Sequence, residues 1–568
     1  MRKKIYTLSL LLYLAIYSNN YVEANSLDNL LIKQQQIVQQ HQQDISSKQA
    51  EEILQNRINK HIVHLSSKKG NLEIINLPSE KNSFKINNFS LEKSSFSQKF
   101  NWINKYLANF NGKYIGTQGI NLLMKQINTE IMNRGYVTTR IYIKEQNLST
   151  GKLYFSLMPG IISNIHFKKN TWGTYTNAIA MQTGSLLNIR DIEQTIDNFN
   201  SVPGQTADIK IEPGKNEGES DLVIDLQRNN PISLSFTIDN SGTDTTGKVQ
   251  MSGMVQISQP FSSNDIFYAS WNEDATQSGE KKGTRASSLY YSIPFGKDRF
   301  SYLHTQNDYR QTVEYAINPF ISSGKFTHDI LTISHLLERH QSSKTDLELG
   351  FIHKTRHSYI DGTEISVQKQ KTTAMSLGIN RRQYLGASIL DTSFKWQKGL
   401  PWWSDAGPTD EIPNEATTQY NLYLYSLNFT TPVHITKNYN AQYNMSLRGQ
   451  KTNDLIYGSE FFSIGDMYSV RGFDGEQTLS AESGFVIRNE LRFPFAKSHQ
   501  FYLGLDYGKV SGPSTEYLLG TELIGSAMGF RGNFGQCSYD VFIGYPLKKP
   551  DGFICNARTY GFMFNTYF

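Results

Sequence analysis

An arginine in a glycine-flanked loop and a carboxylate set between two glycines are the residues of this sequence best suited to grip one another. The first lies in Ser469-Val470-Arg471-Gly472-Phe473-Asp474-Gly475, the second in Gly504-Leu505-Asp506-Tyr507-Gly508. A guanidinium offers a planar fork of donors that matches the two oxygens of a carboxylate. On a strand, Gly504 and Gly508 share the face of Asp506, and their missing side chains leave room for an approaching loop. The two segments therefore read as a latch. Val470, Arg471, Gly472 and Phe473 form the loop part; Gly504, Asp506 and Gly508 form the wall part. Taken without their surroundings, the same residues also fit an outer turn and an unrelated aspartate.

For a loop to reach such a wall, the wall must enclose a space. From Asn230 onward the sequence alternates with period two almost without interruption. Phe485, Ile487, Leu491 and Phe493 share one face, and Arg488, Glu490 and Arg492 share the other. Phe501, Leu503, Leu505 and Tyr507 likewise oppose Gly504, Asp506 and Gly508, while Tyr443, Met445 and Leu447 oppose Asn444, Ser446 and Arg448. An apolar outer face against a polar inner one is the pattern of transmembrane strands in a barrel. The count is about sixteen segments, the first starting near Ile232, the sixth near Lys325, the eighth near Ser366, the tenth near Thr417 and the last near Arg558. Residues 453–481 form a long loop on the outer side, able to fold back into the lumen. The terminal Phe568 suits an outer-membrane barrel.

The composition agrees with this. The 568 residues include 32 Tyr and 32 Phe, yet mean hydropathy is only −0.46, as expected where lipid-facing and lumen-facing positions alternate. The formal net charge of +5, with no dense Lys/Arg cluster, gives no reason to expect a nucleic-acid partner. Arg2, Lys3 and Lys4 precede an apolar run from Ile5 to Ile16, and Val22-Glu23-Ala24 ends in small residues, so residues 1–24 read as a secretory signal peptide. That run is too short to span a bilayer as a helix.

Residues 25–60, Gln-rich and without Pro or Gly, read as a polar helix suited to a water-filled lumen, and 61–82 as a linker. Two βααββ units follow, over 83–160 and 161–229. The first uses helices at Phe100–Phe110 and Gly119–Arg134, the latter capped by Gly135. The second uses helices at Tyr175–Met181 and Ile189–Asn200, with Arg190 and Asp191 as surface charges. Cys537 and Cys555 fall near opposite ends of neighbouring strands and read as free thiols. His335 and His340, at odd spacing on one strand, point to opposite faces and are not a ligand pair. Asp474 and Glu476 lack the dense oxygen pattern of a calcium loop, no phosphate-binding glycine loop occurs, and no catalytic set or cofactor site is evident.

Gly135-Tyr136-Val137-Thr138-Thr139-Arg140, Ile189-Arg190-Asp191-Ile192-Glu193-Gln194, Asn200-Ser201-Val202-Pro203 and Pro294-Phe295-Gly296 extend the likeness beyond the latch. With the tandem units and the two latch motifs in this order, the chain resembles the outer-membrane transporters of two-partner secretion systems. These are the haemolysin-activator and filamentous-haemagglutinin exporters of the polypeptide-transport-associated (POTRA) barrel superfamily. The resemblance implies a mainly β protein: an N-terminal plug helix, two periplasmic POTRA domains and a transmembrane β-barrel of about sixteen antiparallel strands over 230–568. It implies a bacterial outer membrane with its lipid as surroundings, insertion by the barrel-assembly machinery, and a monomer. The partner it implies is a large secreted protein of the cytolysin, adhesin, haem-binding or toxin class, exported unfolded and in some members also activated. No enzymatic activity and no cofactor are implied. The alternative is an insertion factor of the barrel-assembly type, which shares the architecture but usually carries more periplasmic units.

Overall fold

The computed structural model describes residues 74–169, 176–276, 281–313, 319–405, 415–437 and 439–568. The expected signal peptide, the plug helix and the start of the linker lie outside these residues.

The first βααββ unit places helices α1 (Asn101–Leu107) and α2 (Thr117–Asn133) against a three-stranded sheet. Its central strand, Lys152–Met158, runs parallel to Asn88–Leu91 and antiparallel to Arg140–Tyr142. Leu123, Ile127 and Ile131 recur at helical spacing along α2, and all are buried against this sheet. Gly135 ends α2 as expected: at φ +94° it turns the chain so that its N–H reaches Met132 O at 2.9 Å and the Tyr136 N–H reaches Ile131 O at 3.1 Å. This is the paired C-terminal bonding that a left-handed glycine permits.

The second unit repeats the sheet, with Glu219–Arg228 parallel to Ile161–Phe167 and antiparallel to Gln205–Pro213. Helix α3 spans Ile189–Asn200, as its sequence pattern predicts. Of the helix expected over Tyr175–Met181, Tyr175 lies outside the described residues, and the remainder holds a single 3-10 turn, Thr176–Ala178. Its polar groups go elsewhere: Asn177 Nδ2 donates to the carbonyls of Ser263 and Pro294, and the Ala180 N–H donates to Thr195 Oγ1.

Those bonds belong to a docking surface that also corrects the reading of Arg190 and Asp191. Both are engaged, Arg190 with Glu193 at 2.6 Å and Asp191 with Lys297 at 2.7 Å, and Arg190 is only 7% exposed. Helix α3 lies against three barrel turns. Asn264 Nδ2 donates to Asn198 O and Asn198 Nδ2 to Gly296 O, each at 2.7 Å. Arg339 grips Glu193 at 3.0 Å and Asp197 at 2.5 Å. Replacing Arg339 with Ala takes the bridging cation from two buried carboxylates, at a cost toward the lower end of ~3–5 kcal/mol. The expected outcome is a second unit cut faster by added protease while the barrel stays resistant; unchanged cleavage would refute it.

The barrel has sixteen long antiparallel strands in chain order. The last, Thr559–Tyr567, closes onto the first, Ile232–Asp239. Asn240 extends the closure beyond the ladder, accepting from the Phe562 N–H at 2.8 Å and donating to Tyr560 O at 2.6 Å. Several strands begin at the expected residue, including Ser483–Ala496 and His499–Ser511. Others shift slightly: the sixth starts at Phe320, the eighth at Gln370 and the tenth at Asn421. Cys537 and Cys555 are free. A bulge between Leu336 and Glu338 changes the reading of His335 and His340. Its extra residue returns both to one face, where each meets a different carboxylate, Asp298 and Glu338.

Candidate functional site

The twelfth and thirteenth strands, Ser483–Ala496 and His499–Ser511, build the wall of the site. Their alternation sends Leu503 and Leu505 outward, where they are exposed, and Tyr502, Asp506 and Val510 inward, where they are buried. Arg488 stands opposite Asp506, and Glu490 opposite Gly504.

The loop between the eleventh and twelfth strands turns into this lumen. It is stiffened by a small ladder, Phe462–Ile464 against Leu479–Ala481, and its tip is shaped by a reciprocal turn. Asp466 Oδ1 accepts from the N–H groups of Tyr468 and Ser469, while Ser469 Oγ accepts from those of Gly465 and Asp466. Side-chain oxygens that satisfy nearby backbone donors in this way hold a loop without regular structure.

The turn delivers Arg471 to the wall. Its Nε and Nη2 donate to the two oxygens of Asp506, each at 2.8 Å, and its backbone N–H donates to Asp506 Oδ2 at 3.0 Å. Nη1 reaches Glu490 Oε2 at 2.5 Å and Nη2 also reaches Asn489 O at 3.3 Å. Arg471 is 2% exposed and Asp506 0%. Arg471 and Asp506, expected from sequence to pair, are directly bonded, and the contact is the two-pronged one that guanidinium geometry favours.

The other named residues serve the approach. Val470 and Phe473 are fully buried in a cluster with Ile464, Val486, Val510 and Leu523. A methyl on Gly504 would strike the Arg471 guanidinium, and one on Gly508 would lie 2.8 Å from Val470 Cγ2. Gly472, at φ +110°, lies against the backbone of Tyr545 and Pro546.

Sequence reasoning missed two glycines of the same cradle. At Gly525 an added Cβ would fall on Arg471 O, and at Gly544 it would lie 2.7 Å from Gly472 N. It also missed how far the charge network extends. Glu490 bonds Arg492 at 2.5 Å and Arg531 at 3.1 Å, and Asp540 bonds Arg531 Nε and Tyr502 Oη, each at 2.8 Å. The signal for Glu490 was present in the inward parity of Arg488, Glu490 and Arg492. Nothing local marks Gly525 and Gly544, because their partner is backbone distant in sequence.

Asp474 and Glu476 tie the loop to outer segments. Asp474 Oδ2 accepts from Asn556 N and Nδ2, and Glu476 Oε1 from the Asp244 N–H at 2.6 Å. Across the lumen, Lys354 on the seventh strand holds Glu460 at 2.7 and 2.8 Å. The loop is therefore pinned on both sides of the barrel.

A sixteen-strand barrel with an inward loop fixed by an arginine, preceded by two small units that each pack helix against a three-stranded sheet, defines a POTRA-barrel transporter of the outer membrane. The model of the haemolysin secretion/activation proteins ShlB/FhaC/HecB matches residues 218–532, and models of a ShlB-type POTRA domain and of a POTRA domain match 84–160 and 161–213. The outer membrane transporter CdiB-2 of Burkholderia pseudomallei is 34% identical, over 83% of this chain and 81% of its own. The hemolysin transporter protein HpmB of Proteus mirabilis is 25% identical over 70% of each chain. The solved structure of CdiB from Acinetobacter baumannii superposes with a TM-score of 0.82 at 26% identity, over 94% of this chain and 99% of that one. The chain belongs to the ShlB/FhaC/HecB family. It is an outer-membrane transporter of two-partner secretion with its POTRA domains in the periplasm.

Proposed function

We propose that the loop carrying Arg471 is the gate of this transporter, seated in the lumen by Asp506 and Glu490 and displaced when the partner protein passes. The observation that carries this reading is a buried arginine bonded through its fork to a carboxylate that two glycines leave accessible. In this reading Val470, Gly472 and Phe473 seat the loop, and Gly504, Asp506 and Gly508 receive it.

Residues 83–160 and 161–229 act as the capturing units, since exposed strand edges accept an added strand from an unfolded client. Residues 1–24 are removed on export, 25–60 plug the resting pore, and 230–568 form the conduit. Folding of the client outside the cell drives its passage, with no nucleotide, metal or enzymatic step. The cargo is a cytolysin, adhesin or toxin; a cytolysin is in keeping with the haemolysin in the name of the Proteus relative. The barrel works as a monomer in outer-membrane lipid after insertion by the barrel-assembly machinery, and it has no nucleic-acid partner.

The test is deletion of this gene in a strain producing a long secreted protein encoded beside it. That protein should collect in the periplasm and return to the medium when the gene is restored. Its continued appearance outside the cell would refute the proposal.

A further inference from the structure

The lipid-facing side of the fifth and sixth barrel strands, Asp298–Val313 and Phe320–His340, differs from that of the thirteenth strand on the opposite wall. Four successive outward rows are Asp298 with His335, Phe300 with Ile333, Tyr302 with Leu331, and His304 with Asp329. The outward direction is set by Phe300, Tyr302 and Leu331, which are 39%, 42% and 47% exposed. The first and last of these rows are histidine–carboxylate pairs. His335 Nδ1 meets Asp298 Oδ1 at 2.7 Å, and His304 Nδ1 meets Asp329 Oδ1 at 2.8 Å, with Tyr302 Oη donating to the same oxygen at 2.6 Å. Beyond the upper pair the outward face stays polar, with Gln306 opposite Thr327 and Asp308 opposite Lys325.

Only two apolar rows therefore separate the charged ones. At about 3.3 Å per residue and a tilt of about 40°, the interval from Asp298 to His304 spans roughly 15 Å of membrane height. The apolar girdle of such a barrel is usually about 25 Å tall. On the thirteenth strand, eight strands away on the opposite wall, the outward run Phe501, Leu503, Leu505 and Tyr507 lies between His499 and Lys509 and spans the usual height.

We propose that the outer membrane is locally thinned against the fifth and sixth strands, its headgroups drawn down to the His304–Asp329 pair, so that this face is a docking surface for a thin bilayer. Hydrocarbon of ordinary thickness would have to cover a carboxylate and the polar ring bonded to it, which is unfavourable on a lipid-facing strand. Mismatch of this kind is relieved by thinning of the lipid next to the short face. Tilting the whole barrel does not relieve it, because lowering the bilayer at His304 would submerge the Asp298–His335 pair.

The test uses the full chain in dioleoylphosphatidylcholine vesicles, with Cys537 and Cys555 replaced by Ser and one nitroxide attached to a new cysteine. Gln306→Cys and Tyr507→Cys are each the ninth residue of a strand that starts at a periplasmic turn. Collision with an aqueous nickel complex should be several-fold greater at 306 than at 507, with the label at Leu337→Cys also reached by water. Equal, lipid-like values at 306 and 507 would overturn the proposal. So would a lipid-buried label at 337, which is the signature of tilt. Adding His304→Leu and Asp329→Leu together should draw the 306 label into the lipid; no change would mean that this pair does not set the boundary.

Discussion

Replacing Arg471 with Ala is expected to stop export of the partner protein while leaving the barrel folded in the membrane. The variant removes every bond that the Arg471 side chain makes to the wall. Glu490 keeps Arg492 and Arg531, so the loss falls mainly on Asp506, whose nearest remaining cation is Arg488 at 3.8 Å. A buried carboxylate deprived of its partner costs about 3–5 kcal/mol. That is a shift of roughly a hundredfold to several thousandfold in the balance between seated and unseated loop. Arg471→Lys should recover little, because one ammonium cannot serve Asp506, Glu490 and the Asn489 carbonyl together. Comparing partner protein in the medium and in the periplasm, in cells with equal amounts of folded barrel, decides this. Export at the wild-type level in the alanine variant would remove the gate from the account.

Gly525→Ala should have nearly the same effect without touching a charge. Its methyl would occupy the position of the Arg471 carbonyl oxygen, and backbone at the centre of a packed loop has little freedom to yield. The loop must lift, so Arg471 and Asp506 separate although both remain. Gly378→Ala on the eighth strand is the control, since the nearest atom to its added methyl is at an ordinary 3.5 Å. Export should be lost in the first variant and kept in the second. Equal export in both would mean that close seating of the loop is not required.

The Arg471–Asp506 contact was legible in sequence because both halves carry local marks: an arginine among glycines, and a carboxylate whose parity aims it inward. Strand starts such as Ser483 and His499 were legible for the same reason, period two holding up to the turn. Other features depend on what meets what in three dimensions. Arg190 reads as a surface charge until helix α3 is seen lying on the barrel turns with Glu193 and Arg339. Within the helix expected at Tyr175–Met181, Asn177 instead bonds those same turns, and the described part holds only one 3-10 turn. Gly525 and Gly544 resemble any other strand glycines until the loop backbone lies over them. The parity of His340 fails at a one-residue bulge, which leaves no trace in residue type.

The most direct test of the gate asks whether the carboxylate keeps the loop tip inside the lumen. With Cys537 and Cys555 replaced by Ser, a cysteine at Val470, a position buried in the seated loop, can be challenged on whole cells with a maleimide that does not cross the membrane. The account predicts a protected thiol while Asp506 is present, rapid labelling once Asp506→Ala is added, and loss of export in step with labelling. A thiol that stays protected without Asp506, with export undiminished, would contradict it.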